Sequence, residues 1–276
     1  MSIDVRTAQA PALPTFSWLT GYGELLRTIL RRELRARYKG SALGVLWSFV
    51  YPLAMMGVYT LVLSVLWRAV KVPHYPLFVL TGLAIWAFFQ SAIQLSTPAI
   101  VGNADLIRNV WFPRELIPLA TVLSQAVTAL IMFAVLIPID LVIIPETART
   151  FLLVVPFFAA FLCLTVGLSW LLATANVFFR DVEHLLGVLF LPWFFLTPIL
   201  YSLDKLPRAA GHVWVIRTLR YLNPVTPYVE GIRGAIFQAQ IPGPSLLIYI
   251  FVVGPLVALI GLWTIQRFED RFAVEV

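Results

Sequence analysis

Six stretches of the chain are continuously apolar: residues 45–67, 77–101, 116–144, 151–176, 185–201 and 246–265. Each approaches or exceeds the roughly 20 helical residues needed to cross a hydrocarbon core of about 30 Å. The runs do not alternate with a period of two, so the pattern predicts spanning helices and not a barrel. The expected fold class is an all-α integral membrane protein with six transmembrane helices. Pro52 and Gly57 predict a kink in the first span. The short turn at 68–76 makes the first two spans an antiparallel pair. The third run is too long for a perpendicular crossing and holds Pro138 and Asp140. A carboxylate in mid-membrane would suggest an ion path, but Asp140 stands close to Pro145 at the outer end, so interfacial placement is expected. The fifth run is short and interrupted by Pro192 and Pro198.

The polar breaks are as informative as the spans. Between the second and third runs, residues 102–113 interleave Leu106, Ile107, Val110, Trp111 and Phe112 with Asp105, Arg108 and Asn109 at near-helical spacing. This predicts a short amphipathic helix stopped by Pro113, with Arg114 and Glu115 among the headgroups where the next span begins. A soluble partner could push on two spans through such an element. Residues 1–16 read as a mobile tail and residues 17–40 as a cytoplasmic interface helix. There Arg27, Arg31, Arg35 and Lys39 form one i, i+4 row beside Leu26, Leu30, Leu34 and Tyr38, a pattern that lies flat in a membrane interface. The alternatives for this helix are a topological anchor and a partner-binding role. Residues 41–276 form the transmembrane domain. Within it, 202–245 is half-apolar and rich in proline and glycine, which predicts re-entrant or interfacial outer helices. The turn at 176–184 places Arg180 and Asp181 where they can pair with each other or a neighbour.

Charge sets the orientation. Seven Lys or Arg residues precede the first span, namely Arg6, Arg27, Arg31, Arg32, Arg35, Arg37 and Lys39, which puts the N-terminus in the cytoplasm. Six crossings return the C-terminus and the 102–115 turn to the same side. The segment 202–245 then lies outside although it carries Lys205, Arg208, Arg217, Arg220 and Arg233. No cleavable signal is expected, because residues 1–40 lack the required apolar core. Cys163 sits alone within the fourth run, where no intrachain disulfide can form and a small packing residue suffices.

Catalytic constellations are lacking. There is no Gly-x-x-x-x-Gly-Lys-Ser/Thr loop and no Gly-x-Ser-x-Gly elbow. His74, His184 and His212 fall in separate loops without metal-ligand spacing, and no acidic pair within the spans suits proton or cation coupling. An enzyme and an ion-driven carrier are both disfavoured, and transport powered by another chain fits better. With 9 Trp, 9 Tyr and 20 Phe, aromatics exceed what interfacial belts such as Trp47, Trp67 and Trp111 use. Trp86, Phe88, Phe89, Trp193, Phe194 and Tyr201 are candidates to line a channel, since ring faces can stack on sugars while letting a chain slide. Packing against lipid or a neighbouring helix is the alternative.

Arg35-Ala36-Arg37-Tyr38-Lys39-Gly40-Ser41-Ala42-Leu43-Gly44-Val45-Leu46-Trp47-Ser48, followed by Tyr51-Pro52-Leu53, resembles the start of the ABC-2 type permeases of polysaccharide exporters, which move O-antigen, capsule or teichoic acid. The resemblance continues through Asn109-Val110-Trp111-Phe112-Pro113-Arg114-Glu115, Phe179-Arg180-Asp181-Val182, Thr197-Pro198-Ile199-Leu200-Tyr201 and Leu222-Asn223-Pro224. It implies a homodimer in the bacterial inner membrane, bound to a separate ATP-binding cassette subunit that carries ATP and Mg, so this chain itself holds no cofactor and no metal. The implied substrate is an undecaprenyl-linked polysaccharide, with membrane lipids as surroundings and no nucleic acid partner. Asn103, Asp105, Leu106, Ile107, Arg108 and Trp111 correspond to a coupling helix. Arg27, Arg31, Arg32, Arg35, Arg37, Tyr38 and Lys39 fall in the interface helix. Asn223, Pro224, Tyr228, Glu230 and Arg233 fall in outer helices that cap the channel; the basic content of this outer segment departs from the family pattern, and a role with anionic lipid-linked pyrophosphate is the one reading for it. Two rival readings remain: an ABC-2 exporter of drugs or lipids, and an integral membrane enzyme acting on lipid-linked sugars.

Overall fold

The computed structural model describes residues 21–38, 46–66, 72–109, 112–203 and 213–275. Every regular element among them is helical. Five helical stretches are long and apolar enough to cross a membrane: Phe49–Leu66, Tyr75–Ser96, Leu116–Ile143, Phe151–Phe178 and Pro244–Phe272.

Helix α1, Gly23–Tyr38, lies across the start of the bundle and buries Ile29. Helix α2, Trp47–Tyr59, contains Pro52 without interruption, and departure from α geometry comes later, in a π-helical Thr60–Leu66. Helix α3, Tyr75–Ser96, is the most enclosed span, consistent with its central position. Val101–Asn103 forms a 3-10 turn that leads into α4, Ala104–Asn109. The expected helix over 102–113 is therefore shorter than its pattern suggested. Phe112 and Pro113 are buried and non-helical, and Val110 and Trp111 lie outside the described residues.

Helix α5, Leu116–Ile143, packs on α1 and α3. Asp140 lies in its last turn but is 1% exposed, and neither carboxylate oxygen has a hydrogen-bond partner among the described residues. The expected interfacial carboxylate is thus enclosed by protein. After two 3-10 turns comes α6, Val154–Phe178, followed by α7, Asp181–Leu196. At 16 residues α7 extends about 24 Å, short for a crossing and compatible with the sixth. It ends earlier than the apolar run because Thr197, preceding Pro198, adopts an extended conformation at φ −90°, ψ 133°, as a residue before proline favours. Arg180 and Asp181 do not pair with each other among the described residues.

Two short helices, α8 at Val213–Tyr221 and α9 at Thr226–Arg233, precede α10, Pro244–Glu275. A π-helical Gly234–Gln238 extends α9. The most extensive contact in the fold joins α6 to α10. Glycines explain it: a methyl at Gly261 would strike the Gly167 backbone, and one at Gly254 would strike the Ala160 carbonyl. Seven residues apart, Gly254 and Gly261 share a face, and small residues let membrane helices approach backbone to backbone.

Candidate functional site

The bundle has two differently built ends. At the first, the 3-10 turn that leads into α4 is tied to α1, and α4 itself touches α10. Arg32 donates to the Asn103 side-chain oxygen at 2.8 Å, while the Asn103 amide nitrogen donates to the Ala99 carbonyl at 2.8 Å. Asn109 closes α4 by donating to the Asp105 carbonyl at 2.8 Å. Ile107 is buried and Leu106 half-buried, whereas Asp105 and Arg108 are exposed. The expected amphipathic surface exists, with its apolar side against the spans and its charged side outward.

Behind α4 lies a polar node that the hydrophobic pattern did not reveal. Glu115, expected among headgroups, is 2% exposed. Its Oε1 accepts from Gln266 of α10 at 3.0 Å, and its main-chain carbonyl accepts from Trp170 of α6 at 3.0 Å. Arg114 donates to the Glu269 carbonyl. Burial raises the Glu115 pKa above its ordinary 4.5, with the Gln266 hydrogen bond opposing the rise. Gln266, the amide that directly follows the apolar run 246–265, was the available sequence signal.

Along α1, Arg27, Arg31, Arg32 and Arg35 are exposed. Arg27 meets Glu24 and Arg32 meets Glu33, both at 3.3 Å, exposed pairs of little energetic weight. Arg37 differs, since it reaches α5 and donates to Gln125. Of Tyr38 only the backbone is described, and Lys39 lies outside the described residues.

The six candidate aromatics separate into groups. Trp86, Phe88, Phe89 and Phe194 are buried, and Trp193 is half-buried. Trp86 meets Phe190, Trp193 and Phe194 edge-on, and Phe89 meets Trp193 likewise at 5.2 Å. Phe88 packs on Phe158 and Phe161. Such edge-to-face contacts bind α3, α6 and α7 together. Tyr201 is half-buried and donates to the Phe195 carbonyl at 3.1 Å. Trp47 and Tyr51 of α2, by contrast, face outward, at 57% and 63% exposure. Tyr51 borders two clefts, one of about 180 Å³ with Trp86, Gln90 and Phe194, the other, which Trp47 also lines, of about 220 Å³ with Arg37, Ser91, Gln125 and Thr128. Polar side chains along the flank of a spanning helix are uncommon unless they face protein or water.

At the second end, Asn223 organises the turn between α8 and α9. Its oxygen accepts from Trp193 at 3.0 Å and from the Val225 backbone at 3.1 Å, and its nitrogen donates to Thr197 at 2.9 Å. Pro224 occupies the same half-buried turn. Tyr228 is fully buried, stacks on Phe161 at 5.2 Å and donates to the Ile250 carbonyl at 3.1 Å. Arg220 and Glu230 form a bidentate pair at 2.8 and 2.9 Å. Arg233 is 3% exposed, donates to the carbonyls of Pro198 at 2.6 Å and Ile199 at 2.8 Å, and lies 3.8 Å over the Phe78 ring. Burial works to lower its pKa and the Glu230 charge opposes this. Arg220 and Arg233 are therefore engaged internally, which removes two of the cations expected to face pyrophosphate. Lys205 and Arg208 lie outside the described residues, and Arg217 is exposed. No group of three or more His, Cys, Asp or Glu suited to a metal occurs among the described residues.

The sequence profile of the ABC-2 type transporter matches residues 24–237. The chain belongs to the ABC-2 type transporter family. Its match runs from α1 through the extension of α9, so α4 and the α8–α9 turn fall within the ABC-2 region while α10 lies beyond it. This ABC-2 chain is 30% identical over 251 residues to an O-antigen export system permease protein RfbA of Klebsiella pneumoniae, covering 91% of this chain and 94% of that one. It is 31% identical over 255 residues to the protein of the same name from Myxococcus xanthus, covering 91% and 93%. The polysialic acid transport protein KpsM of Escherichia coli is 24% identical over 253 residues, covering 89% and 93%. The resemblance carried by the short motifs thus extends over nearly the whole chain, and an ABC-2 membrane domain accounts for its multi-pass, all-helical fold.

Proposed function

We propose that the chain is the membrane subunit of an ATP-driven exporter that moves an undecaprenyl-linked polysaccharide across the bacterial inner membrane, through a path between two copies of itself. The observation that carries this reading is the state of the first span. Only 6% of its apolar window is buried, against 72% for the second. It carries exposed Trp47 and Tyr51 beside clefts that contain Gln90, Ser91, Gln125 and Thr128. Lipid alone would be a poor neighbour for those polar groups. A second copy facing the same clefts would enclose a passage whose rings stack on sugar faces and whose amides and hydroxyls meet sugar hydroxyls. A drug or lipid cargo would be served better by an apolar wall.

ATP and Mg belong to a separate cassette subunit, which docks at the end formed by α1 and α4. Both termini and the 102–113 turn then face the cytoplasm, in agreement with the N-terminal cluster of basic residues. ATP binding biases two arrangements of the dimer, and α4 transmits the bias through α10 and the Glu115 node. The test is replacement of Gln90 and Gln125 together by Leu. Membrane insertion and ATP turnover should be retained while glycan export falls, and undiminished export removes the cleft from the path.

A further inference from the structure

The second end of the bundle carries a groove that the export path does not use. One cavity of about 260 Å³ is bordered by Tyr201, Arg220, Tyr221, Glu230 and Ser245, and a second of about 490 Å³ by His74, Phe78 and Glu146. The two meet along a shared wall made of Ser202, Gln238 and Gln240. An elongated groove of this kind suits a segment of polymer better than a compact solute.

Its chemistry is specific. Gln238 and Gln240 are exposed, and their side chains have no hydrogen-bond partner among the described residues. Each presents an amide with two donors and an acceptor. Ser202 adds a hydroxyl and Tyr201 and Tyr221 add rings. Charges along the groove are matched: Arg220 is paired with Glu230, Arg233 is committed to two carbonyls, and Glu146 stands at the far end. Among the described residues, such a wall offers no excess cation to hold a phosphate. It offers the alternating donors, acceptors and ring faces that recognise hydroxyl-bearing pyranose rings.

Backbone strain marks the same place. His74 at φ 48° and Ala239 at φ 51° are the non-glycine residues of positive φ among the described residues. His74 borders the larger cavity, and Ala239 separates the two glutamines. A left-handed alanine costs about 1 kcal/mol, and positions of this kind concentrate at ligand clamps. The left-handed turn at Ala239, closed by Gln240 donating to the Gly234 carbonyl at 2.9 Å, brings Gln238 and Gln240 onto one wall.

We infer that this groove is a saccharide-binding subsite, one per copy, that holds a short uncharged stretch of glycan at the exit end of the bundle. The inference rests on the glycan-export reading for its natural ligand, but its test does not. The complex of this chain with its cassette subunit, in lipid nanodiscs, is titrated with short oligosaccharides released by mild acid from the polysaccharide of the source cell. Saturation-transfer NMR reads their binding. Transfer to the sugar protons is expected, with affinity about tenfold weaker when Gln238→Ala and Gln240→Ala are combined, as loss of two hydrogen bonds implies. Gln240→Trp, which fills the groove from an exposed position, should abolish it. Absence of transfer, equal transfer in both variants, or displacement by inorganic pyrophosphate would each overturn the subsite. ATP-driven export by the same preparation is measured in parallel. Export without groove binding sinks the groove alone, and groove binding without export sinks the export reading while the groove stands.

Discussion

Two buried charged residues carry opposite lessons. Arg233 satisfies two carbonyls that the break at Pro198 leaves without helical partners, and Gly82 makes room for it, since a methyl there would meet its guanidinium. Lysine has no planar fork to serve both acceptors. Arg233→Lys should therefore cost about 2–4 kcal/mol, read as a lower melting temperature of the purified protein in detergent, and an unchanged melt would show the clamp to be dispensable. Glu115 is instead an enclosed acid with one oxygen unpaired. Its raised pKa means that the folded chain holds the proton more tightly than the unfolded chain does. Its contribution to stability is thus fullest below 4.5 and declines as pH rises from there through the folded value. Glu115→Gln keeps the acceptor for Gln266 and loses the charge. The variant should melt higher than the parent near neutral pH, with the difference vanishing in acid, and a difference independent of pH would contradict the assignment.

At the level of elements, helix contacts rest on glycines and the driven end on a short linker. Gly261→Leu should force α6 from α10 and cost about 1–3 kcal/mol or more, measured by unfolding in mixed detergent. Asn103→Ala removes the bond between α1 and the 3-10 turn that leads into α4 but little buried surface, so stability should change by less than about 1 kcal/mol. ATP turnover of the complex should persist while export falls, whereas loss of both together would indicate a structural role. The spans were legible because continuous apolar runs have few other homes. Their ends were less so: Pro198 stopped α7 before Tyr201, and α4, described as far as Asn109, does not include Phe112 although its pattern continued there. Buried polar partners were the hardest to read. Glu115 with Gln266, Arg37 with Gln125 and Arg233 with a broken turn are joined across 151, 88 and about 35 residues, a separation no local period encodes. The aromatic motifs were visible, but only the fold separates Trp86 and Phe89 in the interior from Trp47 and Tyr51 on the open flank.

As a whole, the chain resembles half of an assembly. A span with little of its apolar window covered, flanked by polar clefts, makes sense when a second copy closes over it. Tyr51→Cys should cross-link across that seam in membranes, giving a band of twice the mass, while an equivalent cysteine at Val188, exposed on α7, serves for comparison. On the proposed export reading the labour is divided: this chain would enclose the path, and a different subunit would supply the energy at the α1 and α4 end. The most direct measurement is glycan translocation in sealed proteoliposomes. Lipid-linked polysaccharide should reach the far side only when this chain, a cassette subunit and ATP are all present, and the Asn103→Ala form should hydrolyse ATP without moving it. Translocation by this chain alone, or ATP-driven movement undisturbed by that variant, would contradict the account.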